Sequence, residues 1–160
     1  MKTLTKQEEK EHIKFIDEAA KIALKSACKR AKCGSIIVKD NQIIGQGYNS
    51  PPNELESQRR CKNNKEEYHK KVTDKTCCIH AEQRAIIDAL KNNPTKIQGS
   101  KLFFIRLNDK NEKEPAGNPY CTICSKIALD VGIKHFILLH ESGLKEYPAD
   151  EYNALSYNYK

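Results

Sequence analysis

The fold is decided by a stretch that reads HAEQRAIIDALK at residues 80–91, LFFI at 102–105, CTICSKIALDV at 121–131 and HFILL at 135–139. The first and third blocks repeat apolar residues every three or four positions, which is the period of an amphipathic helix. The second and fourth blocks are short apolar runs, which are typical of buried strands. Helices that alternate with such strands predict a layered α/β domain.

The preceding part of the chain predicts another helix and a β-hairpin. Apolar residues recur at helical spacing across residues 5–27. Two apolar runs at 34–38 and 42–48 then flank the turn residues Asp40 and Asn41, which is the pattern of a hairpin.

In two segments the apolar residues do not recur at helix or strand spacing. Residues 50–76 are polar and predict a long loop or insertion. Residues 141–160 are rich in tyrosine and weakly patterned, with a short helix expected near residues 149–155. We therefore expect residues 1–160 to form a single domain that carries this insertion and this C-terminal tail.

Composition and charge narrow the classes of function. The chain has no run of about 18 apolar residues, so no membrane partner is expected. Its 28 lysines and arginines exceed its 21 acidic residues by 7, which favours anionic partners such as nucleotides or nucleic acid. Seven cysteines without an export signal predict reduced thiols in a cytoplasmic protein, serving metal binding or catalysis.

The motifs His80-Ala81-Glu82 and Cys121-x-x-Cys124 carry the strongest chemical signal. Each begins a predicted helix, and the dipole at a helix N-terminus favours the thiolate that binds a metal ion. One imidazole and two sulfurs leave the fourth position of tetrahedral Zn²⁺ open, as in a catalytic site. Glu82 lies close enough in sequence to move a proton at a zinc-activated water without binding the metal.

These motifs resemble the cytidine and deoxycytidylate deaminase superfamily over about residues 10–140. The segment Gly47-Tyr48-Asn49 resembles the one that closes the first hairpin of that family, although Ser50 follows where the family has glycine. The stretch from Glu82 to Ile86 is most similar to deoxycytidylate deaminases. The resemblance implies a three-layer α/β/α sandwich with a mixed five-stranded sheet, assembled as a homo-oligomer, either a dimer or a hexamer.

The resemblance also implies a reaction and a role for each site residue. Water activated by zinc would attack C4 of a cytosine nucleotide, converting dCMP to dUMP, with Glu82 as the proton shuttle. Asn49 would hydrogen-bond the sugar, and the backbone N–H of Ala81 would face the base carbonyl. Tyr120 stands between Pro119 and the first zinc cysteine, where the family has the proline directly before the cysteine, and could stack on the base.

A second, structural zinc ion is implied by the same resemblance. Some deoxycytidylate deaminases hold such an ion with residues before the first strand, within the insertion and two positions before the zinc histidine. The corresponding residues here are Cys28, Cys61, His69 and Cys78, with Cys77 as a substitute for Cys78. Three thiolates and one imidazole would close a tetrahedral site and offset the entropy of ordering the insertion.

Other functions stay open at this point. The same chemistry could act on nucleic acid, as in a transfer-RNA adenosine deaminase, although the candidate zinc ligands in the insertion argue against it. It could also act on a free base or nucleoside. A zinc-stabilised binding module without activity is the alternative outside enzymes, and Glu82 discriminates against it, because a purely structural site needs no such carboxylate.

A basic cluster begins at Arg59-Arg60 and continues through Lys62 and Lys65. It could contact a phosphate of the substrate or a nucleic-acid backbone, or it could be a solvated face of the insertion.

Overall fold

The chain folds around a mixed β-sheet covered by helices on both faces. The computed structural model describes residues 1–60 and 77–159. The strands in these residues are β1 (Lys2–Thr3), β2 (Lys32–Lys39), β3 (Gln42–Tyr48), β4 (Lys101–Leu107), β5 (Lys113–Glu114), β6 (His135–His140) and β7 (Gly143–Pro148). The helices are α1 (Lys6–Ala23), α2 (Ala81–Asn92), α3 (Thr122–Asp130) and α4 (Ala149–Tyr157).

The sheet has the strand order β1-β7-β6-β4-β2-β3, and β5 pairs with β4. The pairing of β4 with β6 is parallel, and the other pairings of named strands are antiparallel, so the predicted mixed sheet is confirmed. The expectation of five strands is wrong, because the sheet contains seven within residues 1–60 and 77–159. Strands β1 and β5 have two residues each, too few for a period, and the charged residues of β7 interrupt its apolar alternation.

The helices form two layers around the sheet, which confirms the three-layer α/β/α prediction. Helix α1 packs on one face, where Ile16 and Ala19 meet Phe103 of β4. Helices α2, α3 and α4 cover the other face, and their buried residues pack with Leu102 and Phe136. These residues are largely withdrawn from water, and this burial stabilises the layers.

Helix α1 is shorter than the predicted helix over residues 5–27. It begins with a capping box, in which Thr5 N donates to the Glu8 carboxylate and Glu8 N donates to Thr5 Oγ1. It ends at Ala23, where Ser26 N donates to the Ala23 carbonyl over 2.9 Å. The Ser26 hydroxyl donates to Asn49 in turn, so the chain turns toward the end of β3 instead of continuing as a helix.

The structure describes the start of the insertion and the C-terminal tail up to residue 159. The insertion begins with two 3-10 turns, Pro52–Glu54 and Glu56–Gln58. Cys61 and His69 lie outside the described residues. The tail forms β7 and then α4, which agrees with the short helix expected there. None of the described helices combines the length and the apolar character that crossing a bilayer requires.

Candidate active site

A nitrogen and two sulfurs converge where α2 and α3 begin. His80 immediately precedes α2, Cys121 immediately precedes α3, and Cys124 lies in the first turn of α3. The Nδ1 atom of His80 is 3.3 Å from Cys124 Sγ and 3.4 Å from Cys121 Sγ. The ligand atoms of the three residues all lie within 4.8 Å of one another, so the structure brings the predicted catalytic zinc ligands together.

The geometry and chemistry of this cluster fit a zinc ion. Around tetrahedral zinc with ordinary bond lengths, an imidazole nitrogen and a thiolate sulfur are about 3.5 Å apart, close to the distances found here. Both cysteines are buried and His80 is half-buried. Three protein donors also leave one position for water or substrate. Among residues 1–60 and 77–159, this is the one cluster of three or more candidate metal ligands.

The two cysteines titrate in opposite directions. A hydrogen bond from the Cys124 thiol lowers the pKa of Cys121 to about 4, although burial acts in the other direction. The same hydrogen bond, together with burial, raises the pKa of Cys124. The backbone N–H of Cys124 also donates to Cys121 Sγ over 3.5 Å. Cys121 is therefore held as a thiolate at the helix N-terminus, ready to bind a cation.

Glu82 lies beside this cluster with its side chain removed from solvent. It belongs to the first turn of α2 and is only 6% exposed. Burial raises the pKa of Glu82, while the charge of His80 and a hydrogen bond with Cys124 act in the other direction. A carboxyl group with a raised pKa can both accept and release a proton near neutral pH, which is the requirement for a proton shuttle.

A cavity of about 170 Å³ opens next to the cluster. Its lining contains the candidate substrate residues Asn49, Ala81 and Tyr120 together with His80 and Glu82. The cavity lining therefore contains one predicted zinc ligand, the predicted proton shuttle and the predicted substrate-contacting residues.

Asn49 is held by three hydrogen bonds. Its Oδ1 accepts from Ser26 Oγ at 2.7 Å and from the backbone N–H of Cys33 at 2.8 Å. Its Nδ2 donates to the Ala31 carbonyl at 2.9 Å. Both lone pairs of the amide oxygen are occupied, and one N–H of Nδ2 has no acceptor among residues 1–60 and 77–159. Asn49 can therefore serve a ligand as a donor.

Ala81 and Tyr120 both line the cavity. Ala81 is the first residue of α2, so its backbone N–H has no acceptor within the helix. Tyr120 is half-exposed, and its ring lies 5.7 Å from that of Tyr159 in the C-terminal tail. Burial in the cavity wall raises the pKa of Tyr120. The predicted stacking of this ring on a base stays a prediction.

Among the further residues that line the cavity, three have large side chains that the sequence analysis did not assign to the site, or assigned only loosely. Arg30 comes from the loop between α1 and β2, Phe104 from β4, and Arg60 from the basic cluster. Arg30 lies in the short basic run from Lys29 to Lys32, but no motif surrounds it. Phe104 was predicted only as part of a buried strand, because its position at the cavity depends on sheet pairing.

The thiols predicted for a second zinc ion are only partly described. Cys28 is hydrogen-bonded to Cys78, and burial followed by the charge of Cys28 raises the pKa of Cys78. Cys77 Sγ is 3.7 Å from Cys78 Sγ. Cys28, Cys77 and Cys78 all line the cavity. Two of the four predicted ligands are thus adjacent, while the other two lie outside the described residues.

Comparisons with known proteins agree with this geometry. The family model of the cytidine and deoxycytidylate deaminase zinc-binding region matches residues 9–140. A deoxycytidylate deaminase of Mycobacterium phage D29 is 26% identical over 134 residues, which cover 80% of this chain and 93% of the phage protein.

Two solved structures share the fold. The dCMP deaminase of cyanophage S-TIM5, crystallised with dCMP and dUMP, is 23% identical, with a TM-score of 0.53 over 84% of this chain and 82% of that chain. The cytidine deaminase of Burkholderia pseudomallei is 16% identical, with a TM-score of 0.58 over 88% of this chain and 94% of that chain.

Proposed function

The chain belongs to the cytidine and deoxycytidylate deaminase family, and from that premise we propose that it hydrolytically deaminates a cytosine nucleotide, dCMP to dUMP. The observation that carries the proposal is the convergence of His80, Cys121 and Cys124 beside the buried Glu82. The choice of nucleotide is supported by the phage relative, a deoxycytidylate deaminase, and by the S-TIM5 enzyme, whose structure contains dCMP and dUMP.

Zn²⁺ is the cofactor of the proposed reaction, held by His80, Cys121 and Cys124. Zinc bound there would supply Lewis-acid activation of a water molecule at neutral pH. Glu82 would take one proton of the attacking water and deliver it to N3 of the base. It would then take the second proton from the hydroxyl group formed at C4 and deliver it to the amine, which leaves as ammonia when the bond between C4 and the amine nitrogen breaks and the C4 carbonyl forms. Burial raises the pKa of Glu82, which favours uptake of a proton by its carboxylate.

The rest of the cavity positions the nucleotide. The N–H of Ala81 donates to the base carbonyl, and the remaining N–H of Asn49 donates to the sugar. Tyr120 lies against the base. Arg30 and Arg60 bring positive charge to the cavity lining, and guanidinium groups are suited to binding a phosphate.

An ultraviolet assay of the purified protein tests the proposal with dCMP, cytidine, cytosine, guanine and a structured RNA. We expect turnover of dCMP. The matched control is Glu82→Gln, which keeps the size of the side chain but cannot shuttle the proton. It should lose about 10²- to 10⁴-fold in kcat while retaining zinc.

Each other result points to a specific alternative. An active Glu82→Gln variant contradicts the mechanism. Turnover of the RNA or of a free base or nucleoside, without turnover of dCMP, replaces the proposed substrate. A zinc-loaded protein that acts on none of the compounds supports the zinc-stabilised binding module.

We further propose a structural zinc ion held by Cys28, Cys61, His69 and Cys78. The hydrogen bond between Cys28 and Cys78 supports it. Metal analysis should return about two zinc ions per chain, and Cys28→Ser should remove about one of them and lower the melting temperature. Cys33→Ser is the control that keeps both. A content near one zinc ion per chain that does not change in Cys28→Ser would exclude the site. The variant Cys77→Ser tests whether Cys77 is a ligand in place of Cys78.

The family resemblance also leads us to propose a cytoplasmic homo-oligomer, either a dimer or a hexamer. Helix α2 exposes the apolar residues Ile87 and Leu90, which assembly would cover. Light scattering of the zinc-loaded protein measures the assembly, and a monomer at micromolar concentration would contradict it.

A further inference from the structure

We infer that Arg84 is a positioning residue for the reaction, because it connects the segment directly after β3, which contains Asn49, to the first turn of α2, which contains Glu82. The inference rests on the proposed function, since it takes Asn49 as the residue that contacts the sugar of the substrate. Arg84 itself is not part of the cavity lining and acts through the segment it holds.

The guanidinium group of Arg84 binds the turn that follows Asn49. Its Nη2 donates to Ser50 Oγ at 2.7 Å, to the Pro51 carbonyl at 3.2 Å and to the Ser50 carbonyl at 3.4 Å. Its central carbon lies 5.5 Å from the centre of the Tyr48 ring. Hydrogen bonds from a charged donor are stronger than neutral ones, so Arg84 holds this turn firmly. The shortest of them depends on Ser50, which stands where the family has glycine.

The same turn is also bonded to the chain just before His80. Ser50 and Ile79 form an isolated antiparallel bridge, in which Ile79 N donates to the Ser50 carbonyl at 2.9 Å. Arg84 N donates to the His80 carbonyl at 3.0 Å. The Ser50 carbonyl is therefore linked to the start of α2 twice, through the backbone of Ile79 and through the side chain of Arg84.

The segment around Ser50 is tightly packed against α2, so it has little freedom to move. Strand β3 is an edge strand, and one helical turn beyond Arg84 the carboxylate of Asp88 accepts from the backbone N–H of Gln46 at 2.9 Å. Ser50 is completely buried. A packed contact of this kind transmits displacements instead of absorbing them. A shift of Ser50 therefore moves Asn49 relative to Glu82.

This placement matters because Asn49 has a single remaining N–H for a ligand. The direction of this N–H depends on the three hydrogen bonds of the Asn49 amide and on the position of the Asn49 backbone, which is bonded directly to Ser50. Without the guanidinium group, we expect this N–H to miss the sugar hydroxyl, while zinc binding and the proton transfer by Glu82 persist. The signature is a loss of sugar recognition and not a loss of metal.

The test compares dCMP with 2′,3′-dideoxycytidine monophosphate, which lacks the 3′-hydroxyl group. Arg84→Gln should raise KM for dCMP about three- to tenfold, the equivalent of one lost hydrogen bond. It should narrow the kcat/KM preference for dCMP over the dideoxy analogue by a similar factor, with zinc content unchanged. Arg84→Lys should recover part of the preference. Ser50→Gly, which removes only the hydroxyl acceptor, should lower it in the same direction.

Lys91→Ala is the control, since Lys91 is an exposed basic residue at the other end of α2. Wild-type KM and preference in Arg84→Gln would overturn the inference. An equal fall of kcat on both nucleotides together with lost zinc would also overturn it, because that result indicates a general structural role. If the wild-type protein does not deaminate dCMP, the proposed function fails, and that failure is recognised before any variant is measured.

Discussion

At the scale of the residue, Asn49 supports the fold as well as the candidate site. Its amide joins three parts of the chain, because it accepts from Ser26 at the end of α1 and from Cys33 N in β2, and donates to the Ala31 carbonyl. Both Asn49 and Ser26 are buried. The amide therefore satisfies backbone groups that water does not reach freely.

Asn49→Ala should for this reason lower stability as well as substrate affinity. It leaves the N–H of Cys33 and the carbonyl of Ala31 without these partners, and each such group costs about 1–3 kcal/mol when buried. We expect the free energy of unfolding in urea to fall by about 2–4 kcal/mol. Asn118→Ala, at an exposed position, should change it by less than about 0.5 kcal/mol. If both variants changed the free energy of unfolding by the same small amount, Asn49 would not support the fold.

At the scale of the element, β3 and α2 approach each other so closely that glycine is required between them. A Cβ atom added at Gly47 would overlap the carbonyl oxygen of Ala81 and the amide nitrogen of Ala85. These are backbone atoms of the helix that carries Glu82, so they cannot move aside without moving the site.

Gly47→Ala should therefore destabilise the protein by about 3 kcal/mol and reduce deamination, because α2 is pushed away from β3. Gly117→Ala provides the comparison: its Cβ would meet nothing within 4 Å, but its φ of +76° is unfavourable for alanine. That conformational effect alone costs about 1 kcal/mol. Thermal unfolding of both variants checks the difference, and equal losses would contradict the packing argument.

At the scale of the whole molecule, a group of charges links β4, β6 and β7 on one side of the sheet. Lys101 Nζ is 2.8 Å and His135 Nδ1 is 3.4 Å from the Glu146 carboxylate. Burial alone would raise the pKa of Glu146, but the hydrogen bond and charge of Lys101, with His135 and His12, outweigh it and lower the pKa. Burial lowers the pKa of His135, against the attraction of Glu146, while Lys101 adds to the lowering.

Both shifts predict that the protein loses stability on acidification. A group whose pKa is lower in the folded state binds fewer protons there, so its contribution is complete above the unfolded pKa and is lost as the pH falls. For His135 the loss begins below pH 6.5, and for Glu146 below pH 4.5. Urea unfolding from pH 7 to pH 4 should show a smaller decline for His135→Gln than for the wild type. Parallel curves would contradict the assignment to His135.

The candidate site was predictable where its residues carry local signals. His80, Glu82, Cys121 and Cys124 belong to short motifs at helix starts, and the type and spacing of their side chains are readable without the fold. Arg30 and Phe104 have no such motif, and the stretch from Glu82 to Ile86 does not indicate the partner of Arg84. Phe104 reaches the cavity through the pairing of β4 with β2, and Arg84 reaches its position through its contact with the distant Ser50.

The amino-acid pattern was sufficient for the four helices, the hairpin of β2 and β3, the apolar strands β4 and β6, and the layered α/β class. Periodicity and turn residues encode such elements locally. The count of seven strands, the end of α1 at Ala23 and the cavity wall emerged only from the folded chain. A two-residue strand exists because a neighbour supplies its hydrogen bonds, and Ser26 ends the helix region because Asn49 accepts its hydroxyl. Interactions between residues far apart in the chain do not change the spacing of apolar residues within either segment, so neither segment alone reveals them.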